Sequence, residues 1–396
     1  MPCSRASSTP PAPARLLMTR TTRAGAASPR ARRSAARLLP LPETSTATRR
    51  NIAHKYKLSG FPDPRQFLHI RCGDDILSKL TEAGIPGDKV RWADALCEGP
   101  VHRHATDSAR QKERAAYHAS LSSSPMTETY RELMGDDWRV DQCVHYDETI
   151  LWFEADLYDQ MILVYLLSRL GRFRTRTRLS LICIGEFPGM DRFIGLGQLS
   201  PGQLATLLPS RRQVTPGQIR LADRTWDALR EDNPLALAGI ARMRSRALPF
   251  LPAAVRRYLA EYPSIRNGLS RNEQLALEAI AAGARTPREV FLRVQERERR
   301  PYMGDLMFYV VLRRLASTRY PAIAGVHGRL SRLKESEFVE HPLHLTDTGR
   351  RLLTNEIDWC SVSGVVRQIG GVTLRGPRPR WRWDTRRRVI VEQRSR

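Results

Sequence analysis

The sequence is poor in lysine, has no paired cysteines and carries none of the compact catalytic signatures. Only six of its 65 basic residues are lysine. Arginine suits bidentate phosphate contacts, but its excess runs through the whole chain, a spread that GC-rich coding explains better than local selection for a ligand. The six cysteines form no Cys-x-x-Cys pair and no zinc-finger spacing, which excludes the usual redox and structural-zinc patterns. Most stand in apolar surroundings, where a reduced thiol behaves as a small hydrophobe, and this fits a cytoplasmic protein. The longest apolar run, Met161 to Leu167, falls far short of the roughly 20 residues a membrane-spanning helix needs. A membrane partner is therefore not expected. Walker A, G-x-G-x-x-G, H-E-x-x-H and G-x-S-x-G patterns are all missing.

What the sequence does have is positive charge, unevenly placed. Its 396 residues carry a formal net charge of +24, of which +11 lies in residues 1–66 and +8 in residues 366–396, leaving +5 for the 299 between. An anionic partner is the first class to consider for such a chain. Residues 1–66 are rich in Arg, Ala, Ser, Thr and Pro without apolar periodicity, the composition of a disordered tail. They also resemble a transit peptide in composition, but a floppy tail or a translation start set too far upstream, with Met18 as one alternative, is the preferred expectation.

The ordered part is expected to be α+β and multidomain. Phe67–Cys72 reads as a strand running through Gly73-Asp74-Asp75 into a helix, Lys89–Trp92 as a second strand, and Glu148–Phe153 and Leu179–Gly185 as two more. Strands alternating with helices predict a Rossmann-like parallel α/β domain over 67–198. Proline- and glycine-separated leucine patterns predict a helical connector over 199–266. From Ser270 the grammar sharpens: Ser270-x-x-Glu273 and Thr286-Pro287-x-Glu289 read as capping boxes, and Asp305 as the cap of a third helix. Three short helices followed by two short strands predict a winged-helix-like domain over 267–390 with a terminal β-hairpin, and 391–396 as a tail.

Several words in the chain resemble those of a known family. GDD after Gly73, DALCEGPV from Asp94, LWFEADLYDQ from Leu151 and LSLICIGEFPG from Leu179 resemble the bacterial family catalogued as domain of unknown function 1835. GLGQLSPGQLA, NGLSRNEQ, LTDTGRRLL, IGGV and WRWD are similar to the later segments of its long members. The resemblance covers about Phe67 to Ile390. It implies membership and assigns no chemistry to particular residues.

Candidate site residues follow from placement. If Gly73, Asp74 and Asp94 stand at the carboxyl ends of parallel strands, they line the crevice where open α/β sheets bind ligands. Asp94, Glu98 and Glu154 have no obvious capping role and are the candidate catalytic carboxylates, able to hold Mg²⁺ or Mn²⁺ for phosphoester hydrolysis. Asp156 with Asp159 reads first as a helix N-cap and its acidic first turn, and second as ligand-binding. His69, His102, His104 and His145 are possible metal partners and more often structural. Trp92 could stack a nucleotide base, although aromatics in strands are usually core. Arg313 and Arg314 on the third helix of the winged region, with Arg319, Arg329 and Arg332, could meet phosphates, or the module could pack on another protein. The stretch Arg375–Arg388 interleaves arginine with Trp381 and Trp383, the combination that binds phosphate while stacking on bases, and makes Arg386, Arg387 and Arg388 candidate nucleic-acid contacts; its period of two also fits an edge strand with the tryptophans inward, Arg380 and Arg382 in solvent, and Arg386–Arg388 as the solvated end. The leading expectation is a binding or regulatory protein that associates with nucleic acid, and the competing one is a metal-dependent hydrolase of a phosphorylated or nucleotide substrate.

Overall fold

The apolar run Phe67–Arg71 forms β1 of a five-stranded sheet, in a computed structural model that describes residues 67–121, 124–173, 176–325 and 334–393. Its neighbours are β2 (Asp88–Arg91) and β4 (Glu148–Glu154), both parallel to it. β5 (Arg178–Ile184) continues parallel to β4, and a two-residue β6 (Arg212–Gln213) closes the edge antiparallel. All seven residues of β4 are buried, as a central strand covered on both faces requires. From β1 the chain pairs outward to β2 on one side and later to β4 on the other. The connections leaving the carboxyl ends of β1 and β4 therefore run to opposite faces of the sheet, the topological switch point at which open α/β sheets commonly bind ligands.

Among the described residues the chain is a mixed α/β protein with fourteen α-helices and four sheets. Helices α1 (Leu77–Glu82), α2 (Asp107–Leu121), α3 (Met126–Asp141) and α4 (Leu157–Leu170) flank the first sheet. Helix α4 is buried on nearly every side, because α6 (Pro216–Leu229) and α8 (Leu251–Leu259) pack on the face turned away from the strands. The remaining connector helices are α5 (Pro201–Leu207) and α7 (Leu235–Arg242). The described residues form one compact unit.

A second core lies under α9 (Arg271–Ala281), α10 (Pro287–Arg297) and α11 (Asp305–Ala316), together with the antiparallel pair β7 (Ile323–Gly325) and β8 (Leu343–Leu345). Three short helices, α12 (Glu335–Phe338), α13 (Asp347–Leu353) and α14 (Trp359–Ser363), complete it. Ser270 and Glu273 form the expected reciprocal box at α9. At α10 the box is half made: Thr286 Oγ1 accepts the Glu289 N–H, while the Glu289 carboxylate turns back to the Arg285 N–H. Asp305 is the first helical residue rather than the cap, which falls on Gly304.

The terminal strands depart from the expected grouping. β9 (Val365–Gly370) pairs with β10 (Val372–Gly376) and, in parallel, with a two-residue β3 (Gly99–Pro100). β11 (Trp381–Asp384) and β12 (Val389–Glu392) form a hairpin. Leu374, Trp381, Trp383 and Ile390 join the core of the first sheet and connector helices, not that of α9–α11. Trp381 and Trp383 are buried as expected, but Arg382 between them is buried as well, held by the Ser264 carbonyl and Asp358. Among the described residues no helix is long and apolar enough to cross a membrane. The expectations for residues 1–66, 394–396, Arg329 and Arg332 fall outside the described residues.

Candidate functional site

The crevice at the ends of β1 and β4 holds a buried arginine ringed by carboxylates. Arg71, the last residue of β1, donates twice to Asp75 at 3.0 Å, to Asp159 at 2.5 Å and to Glu154. Glu154 ends β4, and Asp159 sits in the first turn of α4, whose N-cap Asp156 accepts the Asp159 N–H at 3.0 Å. The Cys72 thiol donates to the other Asp159 oxygen at 3.0 Å. The Gly195–Gln198 loop closes over this centre and is tied down by Lys79, whose Nζ reaches the carbonyls of Gly197 and Leu199. A Cβ at Gly195 would stand 2.7 Å from Glu154 Oε2, so a larger residue there would displace the buried carboxylate.

Burial and mutual repulsion decide the charge of these acids. Glu154 is pushed well above the usual carboxylate range by desolvation, against the pull of Arg71 and with Asp159 and Asp156 adding to the rise. Asp156 is raised to about 8, by desolvation first and the Asp159 charge second. The Arg71 guanidinium is held charged well above its ordinary value despite burial, Asp159 being its main support. Oxygens of Glu154, Asp156 and Asp159 lie within 4.8 Å of one another, the spacing of a cation site. Arg71 and the Leu196 N–H at 2.7 Å share Glu154 Oε1, and Arg71, the Glu154 N–H at 2.8 Å and the Cys72 thiol take both oxygens of Asp159, so a cation would have to compete with a guanidinium for two of the three carboxylates. A Mg²⁺ or Mn²⁺ ion would also stand beside a buried guanidinium that cannot deprotonate.

The three candidate catalytic carboxylates belong to three separate networks. Asp94 takes Nε of Arg114 at 3.0 Å and Nη2 at 2.7 Å, and His118 Nε2 lies 2.9 Å away. Burial alone would raise the Asp94 pKa, but Arg114 and His118 outweigh it and hold the group far below its usual range. Arg114 is fully buried and also donates to the carbonyls of Ala95, Glu98 and Pro100, so the DALCEGP turn is wound around one guanidinium. Glu98 is buried, and among the described residues its carboxylate accepts from the Tyr117 hydroxyl at 3.4 Å; desolvation raises its pKa against the fields of Arg314 and Arg367.

Gly73 is half-buried in the β1–α1 turn, and Asp74 is exposed and pairs with Arg91 at 3.2 Å. Neither Asp74 nor Asp75 caps α1, whose N-cap is Ile76. Trp92 is a core residue, stacked on Tyr165 at 4.5 Å with its Nε1 donating to Asp137 at 2.8 Å. His69 lies between the Pro86 carbonyl and Trp152 Nε1, and burial lowers it to about 4, leaving a neutral imidazole. His102 binds Glu113 at 2.5 Å. On α11, Arg313 is half-buried over the Phe338 ring, and Arg314 is half-buried with its charge acting on Glu98. Arg386, Arg387 and Arg388 are exposed on the β11–β12 turn.

Sequence reasoning missed Arg71 and Arg114. Arg71 was detectable in principle: a charge closing an apolar strand must find buried partners or cost several kcal/mol. Arg114 lies in a helix of mostly polar residues and gives no such sign. The chain matches no protein-family model, and no curated protein matches it.

Proposed function

We propose that this chain is a nucleic-acid-associating binding or regulatory protein, a cytoplasmic member of the bacterial family of unknown function whose words it carries. In this reading the parallel sheet is a Rossmann-like platform, and α9–α11 with β7–β8 are a winged-helix-like module. The carrying observation is the β11–β12 turn. It presents Arg386, Arg387 and Arg388 to solvent on a backbone pinned by Asp384, whose Oδ1 accepts the N–H groups of Arg386 at 2.9 Å and Arg387 at 2.8 Å. Three adjacent guanidinium groups on an ordered turn bind phosphates with little loop-ordering cost.

Fluorescence anisotropy with a labelled oligonucleotide tests this. Affinity should fall steeply with salt, and replacing the three arginines by glutamine should flatten the log–log slope by about 0.7–0.9 for each phosphate the variant leaves unneutralised. Absent or salt-insensitive binding would remove the reading. Metal-dependent hydrolysis is disfavoured by the Arg71 network. Mg²⁺ or Mn²⁺ is expected to leave the thermal midpoint unchanged, and a rise abolished by Glu154→Ala would restore the hydrolase.

A further inference from the structure

A cleft of about 740 Å³ opens between α8, the start of α9, the end of α10 and the β11–β12 turn, within the size range of small-ligand sites. Seven arginines and two glutamates line it. We propose that it binds the phosphate groups of a nucleotide or of a nucleic-acid strand, a site that rests on the anionic-partner reading above and gives it a location.

Most of the charges in the cleft are already matched within the protein. Both glutamates are engaged: Glu298 by Arg257 at 2.9 Å and Arg271 at 3.1 Å, and Glu278 by Arg297 at 2.6 Å. Arg257 is held inside the protein by Glu261, Asn272 and the Tyr302 ring, and Arg256 donates to the Ala241 carbonyl. These pairs build the walls. Arg266, Arg299 and Arg388 are exposed, and their side chains have no ion pair or hydrogen bond among the described residues. They reach one cleft from three distant points of the chain. Like charges so gathered repel one another, and a multiply charged anion is the species that reverses the sign of that interaction. The α9 N-terminus adds little, because the N–H groups of Ser270, Asn272 and Glu273 are already bonded within the protein. Binding therefore falls to the guanidinium groups.

The backbone singles out Arg388. Its φ is +58°, a left-handed conformation in which glycine is favoured and an L side chain is strained. A residue chosen only for the turn would be glycine or asparagine. Strain of this kind concentrates where a side chain has a task.

Arg388→Gly separates the two roles, since it suits the turn and removes only the side chain. The full chain is titrated calorimetrically with inorganic pyrophosphate at low salt, alongside Arg388→Gly and the Arg266→Gln/Arg299→Gln double variant. Wild type should bind, both variants should bind at least about tenfold more weakly, and the thermal midpoint of Arg388→Gly should be equal or higher. No pyrophosphate binding by wild type, or undiminished binding by the variants, overturns the proposal. Competition then identifies the source of the phosphate. Pyrophosphate that displaces a labelled oligonucleotide assigns the cleft to a strand, and pyrophosphate that binds without displacing it assigns the cleft to a free nucleotide. Oligonucleotide binding without pyrophosphate binding would sink the cleft and leave the nucleic-acid reading standing.

Discussion

The crevice at the carboxyl ends of β1 and β4 and the cleft beside the β11–β12 turn both gather arginine, and they use it in opposite ways. In the crevice Arg71 is buried and every terminal nitrogen faces a carboxylate or the Trp152 carbonyl; nearby, Arg114 is enclosed in the same manner by Asp94 and three carbonyls. In the cleft, three guanidinium groups are left to solvent. A buried ion must be matched by the fold itself, because water is not there to do it. An exposed one can wait for a ligand. The region richest in acids, which looks most like a catalytic site by composition, is thus internally neutralised, and the region with no catalytic vocabulary is the one with unmatched charge.

The largest test of this contrast is Arg114→Met. Removing one partner strands Asp94 in the interior and should cost about 3–5 kcal/mol of stability in urea denaturation. A loss under about 1 kcal/mol would mean the α/β arginines are as dispensable as surface ones, and the comparison would fail.

The next concerns pH. Asp156 has a folded pKa of about 8 against an ordinary value of 3.8, so the folded state holds its proton more tightly than the unfolded state does. The associated stability is complete below about pH 4 and is lost as pH rises towards 8 and beyond. Asp156→Asn keeps an amide oxygen for the N-cap and removes the titration. The wild-type thermal midpoint should fall between pH 6 and pH 9 more than that of the variant; parallel curves would show that Asp156 is ionised throughout. The smallest expected effect is Arg299→Gln, within about 0.5 kcal/mol of wild type as for other exposed positions. A larger loss would reveal a structural pairing and move this arginine into the buried class.

Much of the local structure is legible in the sequence. Asp156 as the N-cap of α4 and the reciprocal box of Ser270 and Glu273 each bond within three residues, so their chemistry is written in adjacent letters. Glu154 stands out in the sequence as a site residue and does sit at the crevice, but its main partner lies 83 residues away in sequence. Asp94 stands out for lacking a capping role. It lacks one because it serves Arg114, 20 residues on, across the chain's own turn. The period of two places Arg382 in solvent, yet Asp358 and the Ser264 carbonyl bury it.

By itself the sequence determined the four parallel strands of the first sheet, several helix starts, the inward tryptophans of β11 and the exposed arginines of the last turn. These depend on neighbours along the chain and on the alternation of apolar side chains. Tertiary structure alone decided which charges would be cancelled and which left open. Coulomb pairing acts over a few ångströms of space regardless of sequence distance, and only the folded chain brings Arg71 to Glu154 while leaving Arg266, Arg299 and Arg388 facing one cleft.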